Sequence, residues 1–230
     1  LLSGNYFCYR FARRGPTAPE NFCTVRGSRA GGFRKYFYHR FAGNALGTSK
    51  LKHSNIQFLP PLINPTKIIC VGMNYRKPYP IDGQKVSDPN NIILFGKNRE
   101  AMLAHLDFLE SPVGDASNSF DYEGEIAVVI GKQARNISPA NAHEYIFGFS
   151  AFNDGSVRDW QSHSIYAGKN FSGSGSWGPW ITPLEDLVHP SDLELTVRLN
   201  GEVVQKASSK DMIFSICLLY TSDAADESVC

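Results

Sequence analysis

Short β-branched runs separated by turn residues constrain this chain more than any other feature of its sequence. The runs Leu195–Leu199 and Glu202–Gln205 flank Asn200-Gly201, a dipeptide that favours a two-residue hairpin because both positions tolerate a positive φ. Further strands are predicted at Lys67–Gly72, Ile92–Phe95, Tyr122–Ile130 and Ile146–Phe152. Strands outnumber helices and no repeated strand–helix alternation occurs, so the sequence predicts a β-rich α+β fold.

One helix is predicted among these strands. Ser138 favours the N-cap of a helix, and Pro139 suits the first helical position, where a backbone N–H is not needed. We expect the helix to end near Tyr145, immediately before the strand that begins at Ile146.

Composition and charge argue against several classes of protein. The 230 residues carry a net charge of +1, which argues against a dedicated nucleic-acid-binding protein. No apolar run reaches the ~18 residues that a membrane-spanning helix needs, so we expect no membrane partner and a cytoplasmic protein, with import into an organelle left open. The cysteines have no metal-binding or paired spacing, which argues against a zinc site and a disulfide framework: Cys8, Cys23, Cys70, Cys217 and Cys230.

The chain divides into three segments of different character. Residues 1–53 hold ten Lys and Arg against one acid. They could be an organelle transit peptide, a basic aromatic arm that grips single-stranded nucleic acid or, as we favour, a non-native or fragmentary segment. Residues 54–216 read as one coherent unit. Residues 217–230 resemble a translated sequencing adaptor, so we expect them to be non-native and the native protein to continue beyond Ile216.

Two carboxylates stand two positions apart in the strand predicted at Tyr122–Ile130. Side chains at i and i+2 share one face of a strand, so Glu123 and Glu125 point to the same side, opposite Ile126 and Val128. Adjacent carboxylates repel each other and are costly to bury without a cation. Alone, such a pair is more often an exposed polar strand face.

Two further polar segments follow this strand. Asn153–Gln161 comes directly after a predicted buried strand, where polar side chains converge over a core. Gly168–Phe171 carries Lys169 beside a glycine-rich stretch, but its spacing does not meet the phosphate-loop pattern. Alone, these segments are also consistent with turn residues and a surface lysine.

Together the motifs resemble those of the fumarylacetoacetate hydrolase family and occur in the family's order. The segments that carry the resemblance are Lys67–Tyr75, Asp121–Gly131, Asn153–Gln161, Gly168–Phe171 and Leu199–Gln205. The resemblance implies a mixed β-sheet fold of roll or barrel-like shape, incomplete at the C-terminus because the family's later Gly-Thr-Pro segment has no counterpart. Residues 54–216 would then be a partial catalytic domain. Members of the family are often dimers, so a homodimer is one expectation.

The resemblance further implies a divalent metal held by Glu123, Glu125 and Asp154. Carboxylate ligands suit a hard cation, Mg²⁺ first, with Mn²⁺ or Ca²⁺ as alternatives. The substrates would be small 2-oxo or 1,3-diketo acids, and the metal with Lys169 as the catalytic residue would stabilise an enolate. The implied reactions are acylpyruvate C–C hydrolysis, oxaloacetate-type decarboxylation, and hydration or isomerisation in aromatic catabolism.

By the same resemblance, Arg158 and Gln161 would bind and orient the substrate acid. Many family members carry a His just after the Asn-Tyr turn to activate water, whereas this chain has none between Asn74-Tyr75 and His105. We expect His105 to be non-catalytic; His163 is either a solvent-facing loop residue or a contributor beside Gln161. Decarboxylation, isomerisation or hydration is therefore favoured over hydrolysis. The alternatives are a non-catalytic metal- or metabolite-binding relative and an inactive truncated product.

Overall fold

A computed structural model describes the protein over residues 5–11, 20–26, 57–76, 87–133, 135–187 and 193–220. Its strands are β1 (Asn5–Phe11), β2 (Glu20–Arg26), β3 (Ile69–Gly72), β4 (Ile93–Gly96), β5 (Met102–Leu103), β6 (Phe108–Leu109), β7 (Phe120–Asp121), β8 (Gly124–Ile130), β9 (Ile146–Asn153), β10 (Ser156–Val157), β11 (Gly175–Trp177), β12 (Thr182–Pro183), β13 (Glu194–Leu199) and β14 (Glu202–Ser208). The α-helices are α1 (Arg158–Gln161), α2 (Ile165–Lys169) and α3 (Ile216–Tyr220), and 3-10 helical segments span Arg99–Ala101, Gly114–Ser119, Ala142–Tyr145, Leu184–Asp186 and Ser209–Asp211.

Two larger sheets organise these strands. One has the order β14-β13-β2-β1-β6. In the other, β9 pairs with β8 along one edge and with β11 and β12 along the opposite edge, and β5 lies beyond β11. The β1–β6 and β11–β5 pairs are parallel, whereas the other pairs in these sheets are antiparallel. This arrangement confirms a mixed, β-rich α+β fold, and no sheet of the described strands closes into a barrel.

The hairpin predicted at Asn200-Gly201 is confirmed. Strands β13 and β14 pair antiparallel through a two-residue turn in which Asn200 has a φ of 56° and Gly201 a φ of 86°. Positive φ at both positions defines a turn whose twist matches the right-handed twist of the strands on either side.

Strand β8 begins two residues later than the sequence predicts. It starts at Gly124 rather than Tyr122, because Phe120–Asp121 forms the separate strand β7, which pairs with β10. Glu123 therefore lies just before β8, and Glu125 lies within it. The relative position of these two carboxylates thus depends on tertiary contacts as well as on strand alternation.

The helix predicted from Ser138 to Tyr145 is wrong in type and extent. Residues 139–141 form a turn, and only Ala142–Tyr145 is helical, with 3-10 geometry. The N–H groups of Asn141 and Glu144 donate to carbonyl oxygens three residues earlier in the chain. Because β9 begins at Ile146, the segment is too short to develop successive i→i+4 hydrogen bonds.

Strand β8 has apolar clusters on both faces. Ile126 and Val128 pack toward clusters that contain Leu193 and Leu195. The other face meets a cluster formed by Cys70, Met102, Val129, Phe152 and Trp177, with Ala127 packed against it. Glu125 shares this second face with Ala127, so the alternative of an exposed polar strand face is wrong.

The division of the chain into three segments remains a prediction. Residues 5–11 and 20–26 form β1 and β2 beside β13, whereas residues 27–56 and 221–230 lie outside the described part of the chain. Ile216, at the start of α3, packs toward the cluster that contains Leu193. Within the described residues, no helix combines the length and apolar character needed to cross a membrane.

Replacing Gly148 by alanine is expected to lower the free energy of unfolding by about 1–3 kcal/mol. A Cβ at this position of β9 would lie 2.2 Å from the carbonyl oxygen of Thr182 in β12, and paired backbone cannot yield as a side chain can. Denaturant titration measures the loss. Gly96→Ala is the matched control, since a Cβ there would have no neighbouring atom within 4 Å. Equal losses in the two variants would contradict this close approach of β9 and β12.

Candidate active site

The candidate site lies where β8 begins and β9 ends. The strands run antiparallel with Gly124 opposite Asn153, which places Glu123 beside Asp154. Asn153 Oδ1 accepts a hydrogen bond from the Glu123 N–H at 3.0 Å, and the Asp154 N–H donates to the Glu123 carbonyl at 2.9 Å. Backbone pairing thus gathers the three predicted metal ligands, including Glu125, at one end of the sheet.

Gly124, between the two glutamates, is held from the other sheet by Gln205. The Gln205 side chain accepts a hydrogen bond from the Gly124 N–H at 3.0 Å and donates one to the Gly124 carbonyl at 2.7 Å. A Cβ on Gly124 would lie 2.1 Å from Cγ2 of Val197, so the approach of β13 and β14 requires glycine here. Gln205 therefore positions the start of β8, a role that its place in the hairpin motif alone does not reveal.

Lys169, at the end of α2, lies at the centre of the charged cluster. Its Nζ donates to Glu123 Oε2 at 2.7 Å, to Asp154 Oδ2 at 2.7 Å and to Ser156 Oγ at 2.9 Å. Burial opposes the charge, but Asp154 and Glu123 outweigh burial and raise the pKa of Lys169 above its usual value. Lys169 is therefore a fixed ammonium group at neutral pH rather than a base.

Lys97 is a second buried lysine of the cluster, and the sequence alone does not single it out. Its side chain is 0% exposed, and its Nζ lies 2.8 Å from Asp154 Oδ1. The same Nζ donates to the carbonyl oxygen of Lys169 and, at 3.0 Å, to Ser174 Oγ. Lys97 thus contacts both a predicted metal ligand and the backbone of the predicted catalytic lysine. The only sequence signal is a lysine shortly after a predicted strand, which is weak evidence.

Burial and neighbouring negative charges both raise the pKa of the Glu125 carboxyl group. Burial, and then the charges of Asp154 and Glu123, raise the pKa of Glu125 to about 8, against the lowering effect of Lys169 and Lys97. When all three are ionised, the carboxylates carry one negative charge more than the two lysines neutralise, and without a cation Glu125 keeps its proton at neutral pH. A bound cation would relieve this repulsion, as expected of a metal site.

Arg158 and Gln161 lie on the outer side of the cluster. The Arg158 guanidinium donates to Asp121 Oδ2 at 2.7 Å, to Glu123 Oε1 and, at 3.2 Å, to Gln161 Oε1. Burial opposes its charge, but Glu123 and Asp121 raise the pKa of Arg158 above its usual value. Its side chain is 43% exposed, so a solute can reach it.

Cys70 joins the cluster from β3, which the spacing of the cysteines could not indicate. One donor atom from each of Cys70, Glu125 and Asp154 lies within 4.8 Å of the others, so these three residues could hold a metal ion. Burial, and then the charges of Glu125 and Asp154, raise the pKa of the Cys70 thiol well above its usual value. Glu123 lies outside this group of three. The ligand roles of Glu123, Glu125 and Asp154 therefore stay predictions.

The Asn74-Tyr75 turn connects distant parts of the chain. Asn74 Oδ1 accepts from the Phe214 N–H at 2.8 Å, and Asn74 Nδ2 donates to the Phe214 carbonyl at 3.0 Å. Burial, followed by the charges of Glu125 and Asp211, raises the pKa of Tyr75 to about 12. Tyr75 is therefore a neutral phenol in the electrostatic reach of the cluster.

The two histidines that the sequence singles out lie in turns. His105 is 8% exposed and packs edge-to-face on Phe58, with ring centroids 4.8 Å apart. His163 is exposed in the turn that follows α1. These surroundings fit structural and solvent-facing residues, while residues 77–86, just after the Asn-Tyr turn, lie outside the described part of the chain.

Lys97→Met is expected to lower the free energy of unfolding by about 3–5 kcal/mol, because it leaves the buried Asp154 carboxylate with one cation instead of two. Denaturant titration measures the effect. Arg76→Met removes an exposed partner of Asp88 and is expected to cost less than about 1 kcal/mol. Similar losses in the two variants would show that Asp154 does not depend on Lys97.

The metal-free protein is expected to lose stability as pH rises from about 4.5 to about 8 through the titration of Glu125. In this window the folded state retains a proton that the unfolded state has lost, so the contribution of Glu125 is full below the unfolded pKa and lost above the folded one. Glu125→Gln should flatten this part of the profile, measured by denaturant titration with a chelator present. Glu202→Gln, on exposed β14, is the control, and identical slopes in both variants would contradict the assignment.

Comparison with known proteins places these motifs in a family. Residues 67–222 match the fumarylacetoacetate (FAA) hydrolase C-terminal family. The oxaloacetate tautomerase YisK of Bacillus subtilis is 34% identical over 174 residues, covering 74% of this chain and 58% of the relative. The mitochondrial oxaloacetate tautomerase Fahd2a of Rattus norvegicus is 34% identical over 167 residues, covering 71% of this chain and 52% of the relative. The chain thus spans little more than half the length of these relatives.

A solved structure has a similar fold over most of the chain. The fumarylacetoacetate hydrolase from Exiguobacterium antarcticum is 25% identical, with a TM-score of 0.65 over 94% of this chain and 80% of the other. The family match covers more than half of the sequence and includes both lysines and the carboxylates of the cluster. The chain belongs to the fumarylacetoacetate hydrolase family.

Proposed function

We propose that the protein is a divalent-metal-dependent enzyme that interconverts the enol and keto forms of oxaloacetate or of a closely related small 2-oxo acid. The observation that carries the proposal is the Lys169 ammonium group, held 2.7 Å from both Glu123 and Asp154. The names of the relatives from Bacillus subtilis and Rattus norvegicus, both oxaloacetate tautomerases, support this choice of reaction.

Tautomerisation moves a proton between a carbon and an oxygen atom and needs no attacking water. Lys169 suits the oxygen side, because its ammonium charge would stabilise the enolate oxygen. Since Lys169 keeps its own proton, the proton that leaves one atom would pass to solvent and solvent would supply the proton that reaches the other. The side chain is 5% exposed, so water weakens this charge little. Hydrogen bonds to Ser156 and the two carboxylates fix the direction of Nζ and use its three N–H donors, so the substrate oxygen would replace one of these partners.

Glu123, Glu125 and Asp154 would hold the metal ion. Their carboxylate oxygens are the donors that Mg²⁺ prefers, with Mn²⁺ and Ca²⁺ as alternatives. Asp154 Oδ1 is buried without a hydrogen-bond partner, although Lys97 Nζ lies 2.8 Å away as an ion-pair partner, and this oxygen supports the fit. When bound, the ion would act as a Lewis acid that polarises the substrate oxygens.

Arg158 and Gln161 would bind the substrate carboxylate. A guanidinium group matches a carboxylate with two parallel hydrogen bonds. The Arg158 guanidinium is already paired with Asp121 and Glu123, so substrate would replace one of these partners. Gln161 Oε1 accepts from the guanidinium at 3.2 Å and would steady it during this exchange.

Lys169→Met is expected to lower kcat for oxaloacetate tautomerisation by roughly 10²–10³-fold, the usual cost of removing one charge-stabilising donor. The rate is measured with Mg²⁺ from the ultraviolet absorbance of the enol. Lys206→Met, which removes an exposed lysine of β14, is the matched control and should keep the wild-type rate.

Metal dependence is tested in the same assay. Chelation and the Glu125→Gln substitution should each remove the Mg²⁺-dependent rate, and activity that survives both unchanged would overturn the metal-dependent mechanism. Binding of oxaloacetate without any turnover by the wild-type chain would overturn the enzyme proposal and favour a non-catalytic relative.

A further inference from the structure

Cys70 brings a sulfur atom to the buried edge of the carboxylate cluster. The residue lies on β3 opposite Phe95, is 5% exposed and is not part of a disulfide. Its Sγ and one carboxylate oxygen from each of Glu125 and Asp154 lie within 4.8 Å of one another. In the part of the chain that the structure describes, no other group of three His, Cys, Asp or Glu side chains converges in this way.

This spacing is wider by about an ångström than that of donors around a single metal ion. Zinc binds thiolate sulfur at about 2.3 Å and carboxylate oxygen at about 2.0–2.2 Å in tetrahedral geometry, so its donors are about 3.5 Å apart. The three donor atoms lie within 4.8 Å of one another and would need to approach by roughly 1 Å, which side-chain rotation can supply. Independently, the buried Asp154 Oδ1 accepts no hydrogen bond and already attracts a cation, since the Lys97 ammonium group lies 2.8 Å away as its ion-pair partner. A metal ion would share this oxygen with Lys97 or replace it.

We propose that Cys70 is a metal ligand together with Glu125 and Asp154, and that its sulfur lets the centre bind thiophilic divalent ions such as Zn²⁺, Cd²⁺ and Co²⁺. The inference rests on the metal centre of the proposed function but adds a donor of different chemistry. Carboxylates favour hard ions such as Mg²⁺, whereas a thiolate favours softer ions. The centre would therefore discriminate between metals through one side chain.

Binding exchanges the thiol proton for the ion. The S–H bond of Cys70 breaks, a sulfur–metal bond forms, and the thiol proton leaves to solvent together with the proton that Glu125 holds in the metal-free protein; no electrons are transferred. The thiolate and the carboxylates of Glu123, Glu125 and Asp154 then supply four negative charges. Lys97, Lys169 and the divalent ion supply four positive charges, so the buried cluster is electrically neutral, the condition under which buried charges are least costly.

The test is a titration of the metal-free 230-residue chain with Co²⁺, followed by absorption spectroscopy. A thiolate bound to Co²⁺ gives an ultraviolet charge-transfer band that carboxylate ligands do not give. We expect the wild-type band to saturate at one equivalent and to be lost in Cys70→Ser and Cys70→Ala. Cys217→Ser, which removes a free cysteine outside the carboxylate cluster, is the matched control and should retain the band.

Calorimetry provides the second readout. Loss of a group that supports a metal ligand typically weakens metal binding by roughly 10–100-fold. Loss of Cys70, a ligand itself, should weaken Cd²⁺ binding by at least this factor, while Mg²⁺ binding changes little. A band that persists in both Cys70 variants, or a wild-type chain that binds Co²⁺ without the band, would overturn the proposal. Equal weakening of Cd²⁺ and Mg²⁺ in folded variants would also overturn it, because that result indicates a packing role.

The outcome is separable from that of the proposed function. Mg²⁺-dependent tautomerisation with no sulfur–cobalt band would leave the enzyme proposal standing and remove Cys70 as a ligand. A sulfur–cobalt band without tautomerase activity would confirm Cys70 as a ligand and remove the enzyme proposal. Both variants are checked for folding by circular dichroism before titration.

Discussion

The complete burial of the Asp154 carboxylate is the constraint on which the rest of the site depends. A carboxylate removed from water is stable as an anion only when cations and hydrogen bonds replace its hydration. Lys97 and Lys169 do this from opposite oxygens, at 2.8 Å and 2.7 Å. Because Lys97 also donates to the Lys169 carbonyl, a change at any one of these three residues affects the other two.

The strands that carry these charges are linked by polar side chains as well as by packing. Asn170, directly after α2, donates to the Gly96 carbonyl at 2.9 Å and accepts from the Asn98 N–H at 2.6 Å. These bonds join the helix that carries Lys169 to the end of β4, where Lys97 follows. On the other side, Gln205 joins Gly124 to the hairpin sheet. The two lysines are therefore positioned by the contacts between α2 and β4, whereas the glutamates are positioned by the contact of Gly124 with Gln205.

The cluster holds more carboxylates than lysines, and this imbalance favours the binding of a cation. Three carboxylates stand against two lysines; burial and then the repulsion from Asp154 and Glu123 raise the pKa of Glu125, and a bound cation would favour its ionised form. Carboxylate oxygens alone favour a hard ion, but the thiol of Cys70 stands at the same position. The same charge imbalance thus supports both the magnesium centre that we propose and its sensitivity to softer metals.

Much of this protein could be predicted from its sequence because the relevant signals are local. The β-rich class, the Asn200-Gly201 hairpin and the carboxylate motif depend on residues adjacent in the chain, whose backbone preferences and side-chain alternation act over a few positions. The prediction of an α-helix beginning at Ser138 is wrong, because the nearby start of β9, rather than the capping residues, sets the length of the helical segment.

The roles of Lys97, Cys70 and Gln205 were decided by the tertiary structure alone. Lys97 meets the Lys169 carbonyl across 72 positions, and Gln205 meets Gly124 across 81. No period of a strand or helix encodes such contacts, since they follow from how sheets pack and which strands become neighbours. The sequence by itself determined the local elements and the residue types of the site, whereas burial and packing decided which charges meet.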